Sequence, residues 1–119
     1  MTTATAYELD RNLETQERGA VSIEQALEII DARLACLEPT YESGEEALSE
    51  TMFGFSRADD EFIELCMHTH DHVSCRIELP SLSGIFEEEL ESREAVARRV
   101  RGFFALAEPD FAESLKSGR

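Results

Sequence analysis

Phe62-Ile63-Glu64-Leu65-Cys66-Met67-His68-Thr69-His70-Asp71-His72-Val73-Ser74-Cys75-Arg76-Ile77-Glu78-Leu79 alternates apolar and polar side chains on either side of a short polar break. A period of two over runs of this length predicts two strands joined by a hairpin turn. Ile63, Leu65 and Met67 share one face of the first strand. Val73, Cys75, Ile77 and Leu79 share one face of the second. Slipping either strand by one residue would turn its apolar set to water, so the two apolar faces must coincide. That register pairs Met67 with Val73, Leu65 with Cys75 and Ile63 with Ile77, and it leaves a three-residue loop, Thr69-His70-Asp71. On the opposite face it sets Glu64 across from Arg76, Cys66 across from Ser74 and His68 across from His72. The Glu64–Arg76 pair is favourable and supports the register.

The flanking segments extend the pattern in both directions. Met52 to Arg57, with Phe53 and Phe55 on one face, predicts another strand, and Arg57 to Asp60 a polar turn. Upstream, Ser22 and Gln25 form an S-x-x-Q capping box. From there Ile23, Ala26, Leu27, Ile30, Leu34 and Leu37 recur at helical spacing until Pro39, and residues 38–46 read as a loop. Residues 1–20 carry both strand and helix signals. Their Thr-rich start tips the reading to a strand that ends before Gly19. Downstream of Pro80, residues 85–91 predict a fourth strand, with Ser92 as the N-cap of a helix striped by Val96, Val100, Phe103, Phe104 and Ala107. Pro109 opens a short terminal helix with Phe111 and Leu115. Two amphipathic helices need one apolar sheet face to cover. The expected fold is therefore α+β: a two-layer sandwich with an antiparallel sheet of four to five strands and two main helices on one face, the other face open. A single domain is expected over residues 1–119, with 1–6 and 116–119 frayed.

The 119 residues include 26 acidic and 11 basic side chains, a formal net charge of −15. Such a surplus excludes non-specific nucleic-acid binding, which needs Lys and Arg against phosphate. No uncharged run is long enough to cross a bilayer, and no apolar signal segment follows Met1. The expected location is cytoplasmic, with Cys36, Cys66 and Cys75 as reduced thiols: an odd count without CxxC spacing is no disulfide framework. The acid is uneven. Residues 41–80 hold ten acidic and two basic residues, whereas Arg93, Arg98, Arg99 and Arg101 nearly balance the C-terminal third. Dense clusters fall at Glu42, Glu45, Glu46 and Glu50, at Asp59, Asp60 and Glu61, and at Glu87, Glu88, Glu89 and Glu91.

Catalytic signals are weak. Cys66 and His68 lack an oriented base and oxyanion donors. There is no P-loop, GxGxxG, HExxH or CxxC motif. His68, His70 and His72 are the residues that would ligate a metal if one bound, but they read as a solvated polar turn. The chain is thus expected to be non-enzymatic, with no cofactor and no resident metal. Phe62 stands apart: an aromatic ring among carboxylates has the make-up of an interface anchor.

A capped helix leads into acidic hairpins, and Ile85-Phe86-Glu87-Glu88-Glu89-Leu90-Glu91 runs into Ser92-Arg93-Glu94-Ala95-Val96 and on to Phe103-Phe104. This layout resembles the small acidic α+β immunity proteins of bacterial polymorphic-toxin and secretion loci. The resemblance implies a protein that binds and neutralises a cognate basic toxin such as a nuclease. The contacts expected on that reading are Asp59, Asp60, Glu61 and Phe62, then Glu45, Glu46 and Glu50. The chain is also similar in length and charge to the acidic chaperones of type III secretion, which are dimers. A nucleic-acid-mimicking inhibitor would use the same physics. The partner is expected to be a basic protein, not nucleic acid or membrane, and the chain a monomer or dimer.

Overall fold

The computed structural model describes residues 3–9, 14–35, 52–58, 60–69 and 71–116. Six strands form one antiparallel sheet: β1 (Ala4–Leu9), β2 (Thr15–Val21), β3 (Met52–Ala58), β4 (Glu61–Thr69), β5 (His72–Glu78) and β6 (Phe86–Leu90). Their spatial order is β2-β1-β3-β4-β5-β6. Three helices accompany them: α1 (Ile23–Ala35), α2 (Arg93–Ala105) and α3 (Glu108–Lys116). The α+β class and the antiparallel sheet follow the sequence expectation, with one strand more than the upper figure and a third helix beside the two main ones.

The extra strand comes from the N-terminal segment. It is a hairpin, not one strand ending before Gly19. β1 pairs with β2 on one side and with β3 on the other, so residues 4–6, expected to be frayed, are paired within the sheet. Gly19 lies inside β2 at φ 100°, a conformation that L side chains rarely adopt, next to a register shift at Ala6/Tyr7.

The local signals that set the helices are realised in hydrogen bonds. Ser22 N–H donates to Gln25 Oε1 at 2.9 Å, and Gln25 N–H donates to Ser22 Oγ at 3.2 Å, the reciprocal capping box. Ala95 N–H donates to Ser92 Oγ at 3.1 Å, which caps α2. Pro109 sits in the first turn of α3, where its missing N–H costs nothing. Leu37 and Pro39 lie outside the described residues.

One core joins the two layers. Phe53, Phe55, Ile63, Leu65, Met67, Val73, Cys75 and Ile77 point from the sheet to Ile30, Leu34, Val96, Val100, Phe103 and Phe104. Edge-to-face rings run through it: Phe53 to Phe55 (6.1 Å), Phe55 to Phe104 (5.7 Å), Phe104 to Phe103 (5.9 Å) and Phe103 to Phe111 (5.9 Å). Burial pushes the Cys75 thiol up to about 12, so it is an inert core residue.

Ion pairs tie the layers at their margins. Arg93 grips Asp31 with two bonds of 2.8 and 3.0 Å, joining α2 to α1. Glu88 turns to the helix layer and takes Arg99 of α2 at 2.9 Å. Glu8 of β1 holds Arg33 of α1 and Arg18 of β2, with Arg18 Nε at 2.6 Å. Burial works to raise the Glu8 carboxyl, but the hydrogen bonds and charges of Arg18 and Arg33 outweigh it and hold the group below its ordinary 4.5. A carboxylate depressed in the folded state adds stability above its ordinary range and loses it as pH falls through the depressed value. Wild type should therefore be more stable than Glu8→Gln at neutral pH in urea unfolding. The difference should shrink toward zero between about pH 5 and pH 2.

Candidate functional site

The sheet has two unlike faces. The helices cover one, and the period of two sends every other residue to the open one. The pairings place Glu17, Tyr7, Gly54, Glu64, Arg76 and Glu87 in one row across all six strands. The row on one side of it holds Thr5, Ser56, Phe62 and Glu78, and the row on the other side holds Met52, Cys66, Ser74 and Glu89. The carboxylates of this face are thus Glu17, Glu64, Glu78, Glu87 and Glu89. Arg76 lies between two of them, 3.7 Å from Glu64 and 3.5 Å from Glu87.

Tyr7 is the centrepiece of the first row. Its ring lies across Gly54, the one residue type that leaves room for it: a Cβ there would sit 2.6 Å from Tyr7 Oη and 2.5 Å from the Ile63 carbonyl oxygen. The hydroxyl donates to Glu64 Oε1 at 3.1 Å. Burial first, then the Glu64 charge and hydrogen bond, push this phenol well above its ordinary range, so it stays protonated and donates. Beside it a concavity of about 490 Å³ opens, lined by Thr5, Tyr7, Thr15, Glu17, Phe62 and Glu64 among others. Phe62 is half-buried, one edge in this hollow.

The hairpin register is as derived for five pairs from Ile63–Ile77 to Met67–Val73. At the tip it departs. Thr69, not His68, is the Cα partner of His72, because the ladder shifts between Met67 and Thr69. β4 therefore runs on through Thr69, and the three-residue loop is not formed. The bulge still leaves His68 beside His72, ring centroids 4.7 Å apart. Cys66 pairs with Ser74 on this face and is buried.

Of the residues expected to meet a partner, the structure describes Asp60, Glu61 and Phe62. Asp60 is exposed at the β3–β4 turn, and Phe62 lies on the open face. Glu61 does not join them: alternation turns it away, and Arg57 Nη2 donates to it at 2.9 Å. That Arg57 also donates to the Leu106 carbonyl at 2.8 Å and lies 4.7 Å over the Phe103 ring, so it closes the end of α2. Glu88, likewise, faces the helices. Asp59, Glu45, Glu46, Glu50, His70 and Cys36 lie outside the described residues. Tyr7, Glu17, Glu64, Glu78 and Glu89 were not singled out as site residues. Alternation alone would have found Glu64 and Glu78, whereas Tyr7 and Glu17 required knowledge that β1 inserts between β2 and β3.

The β6 edge carries Glu87, Glu88 and Glu89 in succession, a run of charge that disfavours strand addition there. Among the described residues no helix is long and apolar enough to cross a membrane. No protein-family model, curated protein or solved structure matches the chain.

Proposed function

We propose that the chain is a non-enzymatic binding protein that docks a basic protein partner on the open face of its sheet. The observation that carries this reading is the placing of Glu17, Glu64, Glu78, Glu87 and Glu89 on one open sheet face, where Glu17 and Glu64 line a concavity together with Phe62 and Tyr7. Negative potential over a hollow steers a cationic surface inward, and half-buried aromatic rings then supply the apolar contact. The Tyr7–Glu64 hydrogen bond holds both side chains beforehand, so less freedom is lost on binding. On the immunity-protein resemblance the partner is a toxin, such as a nuclease, whose phosphate-binding Lys and Arg side chains pair with these carboxylates.

Among the described residues, Ile85 and Leu106 are the exposed large apolar side chains. They give a chaperone-type dimer interface little to build on, and sedimentation of the purified chain should show a monomer at micromolar concentration.

The test is capture from source cells with two baits in parallel, wild type and Phe62→Ala/Glu78→Lys/Glu87→Lys. A basic protein held by the first and lost by the second is the expected result. A partner held equally by both would place the contact elsewhere and overturn the reading.

A further inference from the structure

At one rim of the sheet, three side chains from three adjacent strands converge: His68 of β4, His72 of β5 and Glu89 of β6. One ligand atom from each lies within 4.8 Å of the others. We propose that these three residues form an open site for a borderline transition-metal cation, with Zn²⁺ as the type case.

The donor set selects the class of ion. Two imidazoles and one carboxylate suit Zn²⁺, Ni²⁺ or Cu²⁺, while Mg²⁺ and Ca²⁺ prefer all-oxygen shells. Three protein ligands leave a fourth position for water or a ligand from outside.

The geometry is close to what such an ion needs. Tetrahedral ligands at Zn²⁺ bond lengths lie roughly 3.3 Å from one another, so no pair has more than about 1.5 Å to close, and His72 Nε2 and Glu89 Oε2, 2.8 Å apart, are already within that spacing. All three side chains are exposed, while the backbones beneath are held by the β4–β5 and β5–β6 ladders.

Hydrogen bonds already orient the set. Ser74 Oγ donates to Glu89 Oε2 at 2.8 Å. A serine has one O–H, so His68 Nε2, 2.7 Å from the same Oγ, is the donor of that pair. His72 Nε2 donates to Glu89 at 2.8 Å. The bonds from Ser74 and His72 hold the Glu89 carboxylate toward the two rings. A metal would take the place of the Nε2 hydrogens that now point into the gap, each neutral ring carrying its proton on Nδ1 instead.

The full chain, stripped with a chelator and dialysed, is titrated with zinc chloride by calorimetry. One equivalent should bind. His68→Ala, His72→Ala and Glu89→Gln should each weaken binding by at least about tenfold, because even groups that only orient a metal ligand are worth that much. The double variant His68→Ala/His72→Ala should abolish it, with an unchanged circular dichroism spectrum. In the wild-type chain, Zn²⁺ should shift the ring-proton resonances of His68 and His72, a readout that needs no variant. The proposal is overturned by no saturable Zn²⁺ binding below about 1 mM, by full binding in the double variant, or by several weak equivalents that Mg²⁺ displaces.

Discussion

Gly54→Ala should lower the stability of the fold by about 3 kcal/mol, a fall in Tm of roughly 10–15 °C. The added Cβ would meet the Ile63 carbonyl oxygen at 2.5 Å and the Tyr7 ring atoms Oη and Cζ at 2.6 and 2.7 Å. The carbonyl is part of the β3–β4 ladder and cannot move without breaking it. The tyrosine could swing away, but only by giving up its bond to Glu64. Two clashes of different origin can be separated by a double-mutant cycle. Tyr7→Ala/Gly54→Ala should cost less than the sum of the single changes, since the ring clash is gone, yet remain destabilised by the carbonyl. A Gly54→Ala chain within about 0.5 kcal/mol of wild type would mean that Tyr7 does not lie across β3, and the row from Glu17 to Glu87 would lose its centre.

The neighbouring residue should behave differently because it faces the other way. Phe55 is fully buried and makes edge-to-face contacts with both Phe53 and Phe104, linking sheet to helix. Phe55→Ala removes a large side chain from a site with little freedom to collapse, and about 4 kcal/mol should be lost. Phe62→Ala, on the half-buried open face, should cost only about 1 kcal/mol. Urea unfolding of the two variants side by side measures the contrast. Equal losses would make Phe62 a core residue and remove the aromatic anchor from the proposed docking surface.

Much of this architecture was legible locally. The Ser22/Gln25 box, the Ser92 cap and the two-residue period of Phe62–Leu79 each specify their own geometry, and each is realised in a hydrogen bond or a pairing. The Ile63–Ile77 register followed because one face had to be dry. What escaped was non-local. Nothing in Tyr7 or Glu8 says that their strand inserts between β2 and β3, since that depends on which edge of the sheet is free when the hairpin docks. The bulge at His68 escaped for a related reason: alternation predicts where a ladder should run, not where one residue is left unpaired. Proximity in sequence also misled. Glu61 and Phe62, or Glu87 and Glu88, are adjacent in the chain and therefore on opposite faces of a strand, so an acidic run is not a single acidic surface. The five open-face carboxylates come from four strands, β2, β4, β5 and β6, and no contiguous stretch contains them.

The net charge of −15 leaves the solubility role and the docking role of these acids superimposed. They separate in kinetics. Charge spread evenly slows or speeds all encounters alike, whereas a focused face accelerates one partner and loses that advantage when its own carboxylates are reversed.

The most direct measurement is the association rate of the captured basic partner, by stopped-flow or surface binding, at about 50 and 500 mM salt. It should be taken for wild type, for Glu78→Lys/Glu87→Lys on the open face, and for Glu24→Lys/Glu28→Lys on α1. The rate for wild type should fall at least about tenfold with salt, the open-face variant should start near the high-salt rate, and the α1 variant should track wild type. Rates independent of salt, or slowed as much by the α1 changes as by the open-face changes, would contradict a docking surface on this side of the sheet.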